Sequence, residues 1–238
     1  MRIFDIFFPQ RAKCIFCNDE NDKFGICDNC YESLPWIIGN TCEKCGGHVV
    51  ADEKICDQCK DYNHVFKINY SIFDYDDVIA KKIIEFKQSR YKHIGEVFAD
   101  IVLDFYEKLN LKVDIVIPVP IHENRYRDRG FNQSQILASK IDDVYSGLVD
   151  NNVLKRIKDT PHQTGLSRNN RQENLNKAFE VIDKKKIKGK KILLIDDIYT
   201  TGSTLDECTT TLLKAGAKSV VSLCLARGIV YKDENKNG

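Results

Sequence analysis

Eight cysteines between residues 14 and 59 fall into four C-x-x-C pairs: Cys14/Cys17, Cys27/Cys30, Cys42/Cys45 and Cys56/Cys59. The gaps between pairs are 9, 11 and 10 residues. No other feature of the 238-residue chain limits its fold so tightly. Each C-x-x-C knuckle is a tight turn that aims two thiolates at one ion, and two knuckles complete a tetrahedral four-cysteine site. Eight ligands make two sites. Sequential pairing puts Cys14, Cys17, Cys27 and Cys30 on one zinc ion and Cys42, Cys45, Cys56 and Cys59 on a second, giving two consecutive zinc ribbons. A cross-braced pairing of the first knuckle with the third uses the same spacing. Sites saturated by cysteine leave no open position for water, so the ions are structural. The rival is a dithiol switch, which a lone C-x-x-C pair can form. His48 and His64 are surplus to two all-cysteine sites and read as ordinary polar surface.

The opening "MRIFDIFFPQR" is interrupted by Asp5 and lacks a small-residue cleavage site, so it does not read as a signal peptide. No apolar run approaches the ~18 residues that span a bilayer. The expectation is a cytoplasmic protein without membrane insertion, whose reduced thiols bind metal. The formal net charge is +1, so no global basic field advertises a polyanionic partner. Its distribution is uneven. Residues 1–64 carry 7 Lys/Arg against 11 Asp/Glu, and the remainder 29 against 24. Thiolates bound to zinc would make the N-terminal part more acidic still. Protein docking or folding support suits it better than clamping nucleic-acid phosphates.

Beyond Cys59 the pattern alternates between β and α. "HVFKINYSIFDY" reads as a strand or two. "DDVIAKKIIEFKQSR" is a helix with Val78, Ile79, Ile83 and Phe86 at helical spacing and Asp76 or Asp77 as N-cap. A second helix carries Ile94, Val97, Phe98, Ile101, Val102 and Phe105 on one stripe. "VDIVIPVP" is a buried parallel strand, "NQSQILASKI" a helix, "NNVLKRI" and "KKILLID" strands, and "SVVSLCLA" the last strand. A helix from Gly202 to Ala215 stops at Gly216. "DKKKIKGKK" reads as a solvated turn. Cys208 and Cys224 sit among apolar positions and read as core. The expected fold is α/β, a mainly parallel doubly wound sheet, with a small N-terminal zinc-ribbon module. The expected division is a double zinc ribbon over 1–64 and a larger domain over 65–238.

In such sheets ligands sit beyond the carboxyl ends of the strands, and "ILLIDDIYTTGST" places Asp196 and Asp197 there. Tyr199 to Thr204 then form a loop that feeds a helix N-terminus, where backbone N–H groups and the helix dipole favour an anion. Gly202 lets the backbone approach closely, and Thr200, Thr201, Ser203 and Thr204 add hydroxyl donors. That is a cradle for one phosphate. The adjacent carboxylates can accept hydrogen bonds from vicinal hydroxyls or meet a hydrated Mg2+. Phosphate beside diol describes a ribose 5-phosphate. The alternative is a turn in which Thr201 or Ser203 merely caps the helix. A P-loop nucleoside triphosphatase is excluded, because no G-x-x-x-x-G-K-[ST] run accompanies the strand.

The run "ILLIDDIYTTGST" resembles the phosphoribosyl-pyrophosphate (PRPP) motif of type I phosphoribosyltransferases. With the N-terminal knuckles, "IPVPIHENRYRDRGFNQSQILA" and "HQTGLSRNNRQENLNKAF", the chain from Cys14 to about Arg227 resembles the ComF (ComFC) family, associated with bacterial DNA uptake. The resemblance implies that Asp196 and Asp197 hold the ribose 2- and 3-hydroxyls, that Thr200 to Thr204 hold the 5-phosphate, and that magnesium accompanies PRPP. The pyrophosphate needs cations, for which Lys87, Arg125, Arg127, Arg129, Arg168 and Arg171 are candidates, with Arg129 and Arg171 favoured. Gln163 and Asn174 could read a base or fix a loop, and His162 has no assigned role. Two functions stand: a binder of PRPP that handles incoming single-stranded DNA with other uptake proteins, and a transferase with an unknown base-like acceptor. "KKIIEFKQSRYK", residues 81–92, is the candidate strand-binding segment, offering cations beside Phe86 and Tyr91. The alternative is an amphipathic helix with Phe86 in the core.

Overall fold

The computed structural model describes residues 13–19, 25–50, 52–88, 91–159 and 177–228. Four parallel strands make the central sheet in the order β1–β6–β5–β2: β1 Asn69–Asp74, β6 Ser219–Arg227, β5 Lys191–Tyr199 and β2 Ile115–Pro118. The run Ile192 to Ile195 is fully buried because helices cover both faces of β5. Side chains alternate across the sheet as the pleat requires. Leu193, Ile195, Leu223 and Leu225 enter one core, and Ile192, Leu194, Val220 and Cys224 enter the other.

Helices α3 (Asp77–Phe86), α4 (Lys92–Leu109) and α6 (Gln133–Val144) contribute to the first core. Asp76 caps α3 by accepting a hydrogen bond from Ile79 N at 2.8 Å. Ile79, Ile83 and Phe86 are fully buried, worth about 1.5–3 kcal/mol each. Val78 does not belong to that stripe; it is 49% exposed, one residue off the buried face. On the other side lies α8 (Ser203–Lys214), with Leu205, Cys208 and Leu212 inward. Cys208 and Cys224 are thus core, as their apolar neighbours indicate.

Four short elements depart from the sequence reading. The short helix α5 (Glu123–Arg129) precedes α6. Strand β3 (Leu154–Arg156) leaves the main sheet and pairs antiparallel with β4 (Phe179–Val181). The lysine-rich turn contains the four-residue helix α7 (Lys184–Ile187), pinned by the fully buried Ile187.

Residues between α1 (Asp28–Ser33) and α2 (Asp57–Lys60) run along the β1 edge of the sheet. Ile37 N donates to Ile72 O, Asp74 N to Pro35 O, and Asn69 N to Lys44 O. A strand edge that would otherwise present unpaired backbone groups is thereby covered. Cys14, Ile26 and Leu34 join the α4 core, whereas Cys42, Cys45 and Cys59 join the α8 core. No described helix is long and apolar enough to cross a membrane.

Candidate functional site

Strand β5 delivers Asp196 and Asp197 to the carboxyl end of the sheet, and their surroundings differ. Asp196 Oδ1 accepts from Ser134 Oγ at 3.1 Å and from Asp197 N at 2.9 Å. Burial, and then the neighbouring Asp197 charge, push its carboxyl up to about 7. Asp197 Oδ2 lies 2.9 Å from Lys87 Nζ, and its Oδ1 accepts from Ile198 N at 2.8 Å. Burial alone would raise Asp197, but the Lys87 ammonium, helped by Arg129, holds it below its ordinary value. Asp197 is therefore the carboxyl held ionised, and Asp196 the one that keeps its proton more readily.

Both face a cleft of about 400 Å³ lined also by Tyr75, Arg125, Arg129, Gln133, Arg156, Thr200 and Thr204. Lys87, Arg125, Arg129 and Arg156 make it cationic around the acidic pair. Burial and then the Arg129 charge lower Arg125, which would favour anionic groups between the two guanidiniums. Gln133 is 2% exposed; its Oε1 accepts from Arg129 Nη1 at 3.2 Å, and its Nε2 has no partner among the described residues. A buried donor left unpaired at a cleft wall is a natural contact for a ligand oxygen.

The loop divides its hydroxyls between two tasks. Thr200 and Thr204 line the cleft, while Thr201 and Ser203 are buried and hydrogen-bonded to each other at 2.9 Å. Gly202 has φ +77, a left-handed conformation that L side chains rarely adopt.

The thiols gather sequentially, Cys14, Cys17, Cys27 and Cys30 in one cluster and Cys42, Cys45, Cys56 and Cys59 in the other. Within each, the sulfurs lie within 4.8 Å of one another, with Cys17 to Cys27 at 3.6 Å and Cys45 to Cys56 at 3.5 Å. A tetrahedral site with metal–sulfur bonds of ~2.3 Å has sulfurs about 3.8 Å apart, so both clusters fit zinc.

Comparisons with known proteins agree with this layout. The family described as "Double zinc ribbon domain" matches residues 3–60, and "Phosphoribosyl transferase domain" matches residues 82–237. Competence protein F of Haemophilus influenzae is 30% identical over 226 residues, covering 90% of this chain and 96% of the relative. Competence protein ComFC of Bacillus subtilis is 29% identical over 217 residues, covering 85% and 84% respectively. DNA utilization protein YhgH of Salmonella typhimurium is 27% identical over 209 residues, covering 86% and 91%. The chain belongs to the ComF family.

In this ComF-family chain the sequence candidates fall into three groups. Asp196, Asp197, Thr200, Thr204, Lys87, Arg125 and Arg129 meet in the cleft. Arg127 does not; it pairs with Glu123 at 2.7 Å on an exposed face of α5. Arg168, Arg171, His162, Gln163 and Asn174 lie outside the described residues. The 81–92 segment loses its aromatic role. Phe86 is fully buried, Tyr91 packs against the same core, and Lys87 belongs to the acidic pair. Ser134 and Arg156 were not singled out by sequence, although Ser134 directly follows the "RGFNQ" run. His64 corrects the expectation of surface polarity: its side chain is fully buried against Asp206 and Tyr199, behind the loop. His48 stays at the surface, 2.9 Å from Asp74.

Proposed function

We propose that the cleft binds PRPP, or a related ribose 5-phosphate ligand, and that the protein acts in bacterial DNA uptake by handling incoming single strands. The observation that carries the ligand is the meeting of an acidic pair, loop hydroxyls and four cations in one cleft. The names of the relatives, competence and DNA utilization proteins, carry the process. Asp196 and Asp197 accept from the ribose hydroxyls, and Asp197 stays charged to do so because Lys87 holds it ionised. Thr200 and Thr204, with the amides at the start of α8, hold the 5-phosphate. Arg129, Arg125, Arg156 and the Gln133 amide meet the pyrophosphate; Arg171 is assigned to it by resemblance alone.

Magnesium takes oxygen ligands from one or two carboxylates plus phosphates. Asp196 fits that role, since its Oδ1 partners among the described residues are a hydroxyl and a backbone N–H and no salt-bridging cation. The ion would offset pyrophosphate charge. Zinc in the two cysteine clusters is structural, fixing the segments that wrap the sheet edge.

The test combines calorimetry with a pyrophosphate assay. Purified protein should bind PRPP with Mg2+ at one site per chain and release no pyrophosphate with any base in a nucleobase panel. Release with one base would make the protein a transferase, and no PRPP binding would overturn the ligand assignment. In a transformable host lacking its own ComF protein, the wild-type chain should restore transformation, and Asp196→Asn with Asp197→Asn should not.

A further inference from the structure

His64 has no part in contacting the ligand, yet its ring is wholly buried, unlike the other histidines among the described residues. It lies five residues beyond Cys59, on the segment leaving the second cysteine cluster. Its Nδ1 stands 2.8 Å from Asp206 Oδ2, and its Nε2 stands 3.0 Å from the Tyr199 hydroxyl. The Asp206 carboxylate accepts from Nδ1, which fixes the ring's orientation, and Nε2 pairs with the Tyr199 hydroxyl. Asp206 Oδ1 accepts from Val65 N at 2.7 Å, and the Phe66 ring stacks on the imidazole at 4.5 Å.

Tyr199 begins the phosphate loop and Asp206 lies in the first turn of the helix after it, so one imidazole ties together both ends of the loop. Its middle rests on the same ring: a Cβ on Gly202 would stand 2.6 Å from His64 Cε1 and 2.9 Å from the Tyr199 hydroxyl. A second link runs in parallel. Arg227, the register partner of Tyr199, places Nη2 3.5 Å from Cys45 Sγ and 3.4 Å from Gln58 Oε1, with its guanidinium 5.9 Å from the centre of the Tyr199 ring.

We propose that metal binding at Cys42, Cys45, Cys56 and Cys59 is coupled to ligand binding at the phosphate loop, with His64 as the positioning residue and Arg227 as the second link. This rests on the PRPP reading of the cleft. A bound ion fixes Cys56 and Cys59, which fixes the segment that seats His64 beneath Gly202. Without it that segment can shift, and the loop loses its floor. Thermodynamic linkage makes the effect reciprocal: ligand must tighten the second ion by the factor by which that ion tightens ligand. The first cluster packs against the α4 side of the sheet and serves as an internal control.

The test uses the full zinc-loaded chain. Calorimetry first establishes PRPP binding with Mg2+. A chelator is then titrated with a chromogenic zinc indicator, with and without saturating PRPP. One of the two ions should need about fivefold more chelator or greater when PRPP is bound, and the other should be unaffected. Asp196→Asn with Asp197→Asn, which should bind PRPP at least tenfold more weakly, controls for zinc taken up by free ligand at a PRPP concentration that leaves this variant mostly unliganded. His64→Gln should keep two ions, bind PRPP about fivefold more weakly, and lose most of the protection, the Arg227 link remaining. A merely structural histidine would leave the chelator ratio of His64→Gln equal to that of wild type. PRPP binding by wild type without protection of either ion overturns the coupling alone. If wild type does not bind PRPP, the cleft reading falls and the coupling with it. Should His64→Gln fail to fold, the wild-type ratio still decides, and Tyr199→Phe removes only the hydroxyl bond.

Discussion

The two cysteine clusters look like copies in the sequence and are unlike in the fold. Both are built from two knuckles, with 9 residues between knuckles in the first and 10 in the second. In the first, Cys17 is exposed and Cys27 and Cys30 are half-buried, and among the described residues the cluster packs on the α4 side. In the second, Cys42, Cys45 and Cys59 are buried, and neighbouring side chains reach the loop of the candidate ligand site. Near-equal ligand spacing fixes what a cluster can bind, and its packing fixes what else depends on that binding.

The largest expected contrast comes from breaking one cluster at a time. Cys45→Ser removes a buried thiolate that also faces Arg227, so it should cost one zinc ion and weaken PRPP binding about fivefold or more, within the typical range of coupling (~5–150-fold). Cys17→Ser should also cost one zinc ion but change PRPP affinity less than about twofold. Metal analysis and calorimetry on both proteins check this. Equal loss of ligand affinity would erase the distinction between the clusters.

A subtler contrast uses two glycines with matched geometry. Gly25 in the first ribbon has φ +74, and a Cβ there would lie 2.6 Å from a Val97 methyl; Gly202 has φ +77 and the same 2.6 Å approach to His64. Alanine at either should destabilise the protein by roughly 1–3 kcal/mol through backbone strain. Only Gly202→Ala should also weaken PRPP binding, by about fivefold, since His64 and the loop are displaced together. Chemical denaturation alongside ligand titration separates the two effects.

Much of this site was legible in sequence, for local reasons. An apolar run ended by two aspartates, then hydroxyls around one glycine, prescribes strand, carboxylates and phosphate loop in consecutive residues. Knuckle spacing likewise prescribes the clusters. The partners that tune them were not legible, because they arrive from far along the chain: His64 and Asp206 are 142 residues apart. Arg127 could not be separated from Arg125 and Arg129 without knowing that α5 is helical. In a helix, positions four apart share a face, so Arg125 and Arg129 enter the cleft together while Arg127 points away. Strands β3 and β4 are only three residues each, too short for alternation to declare itself.

The smallest expected effect concerns pH. With Asp196 raised to about 7 from an ordinary 3.8, the folded protein holds this proton more tightly than the unfolded chain. Its contribution therefore makes the fold progressively less stable as pH rises from about 4 to 7. Ligand binding needs the carboxylate, so PRPP affinity with Mg2+ should increase several-fold between pH 6 and pH 8. The ligand's own phosphates titrate nearby, and Asp196→Asn supplies the control: its profile should be flatter than that of wild type. Superimposable profiles would remove Asp196 from the binding step.

The central claim is that the acidic pair at the end of β5 reads a ribose diol. Isothermal titration of PRPP with Mg2+ into wild type and into Asp196→Asn with Asp197→Asn tests it most directly. Charge-assisted hydrogen bonds are worth about 1.5–3 kcal/mol each, so the double variant, folded and with zinc content unchanged, should bind at least tenfold more weakly. Unchanged affinity in that folded, zinc-loaded protein would contradict the account.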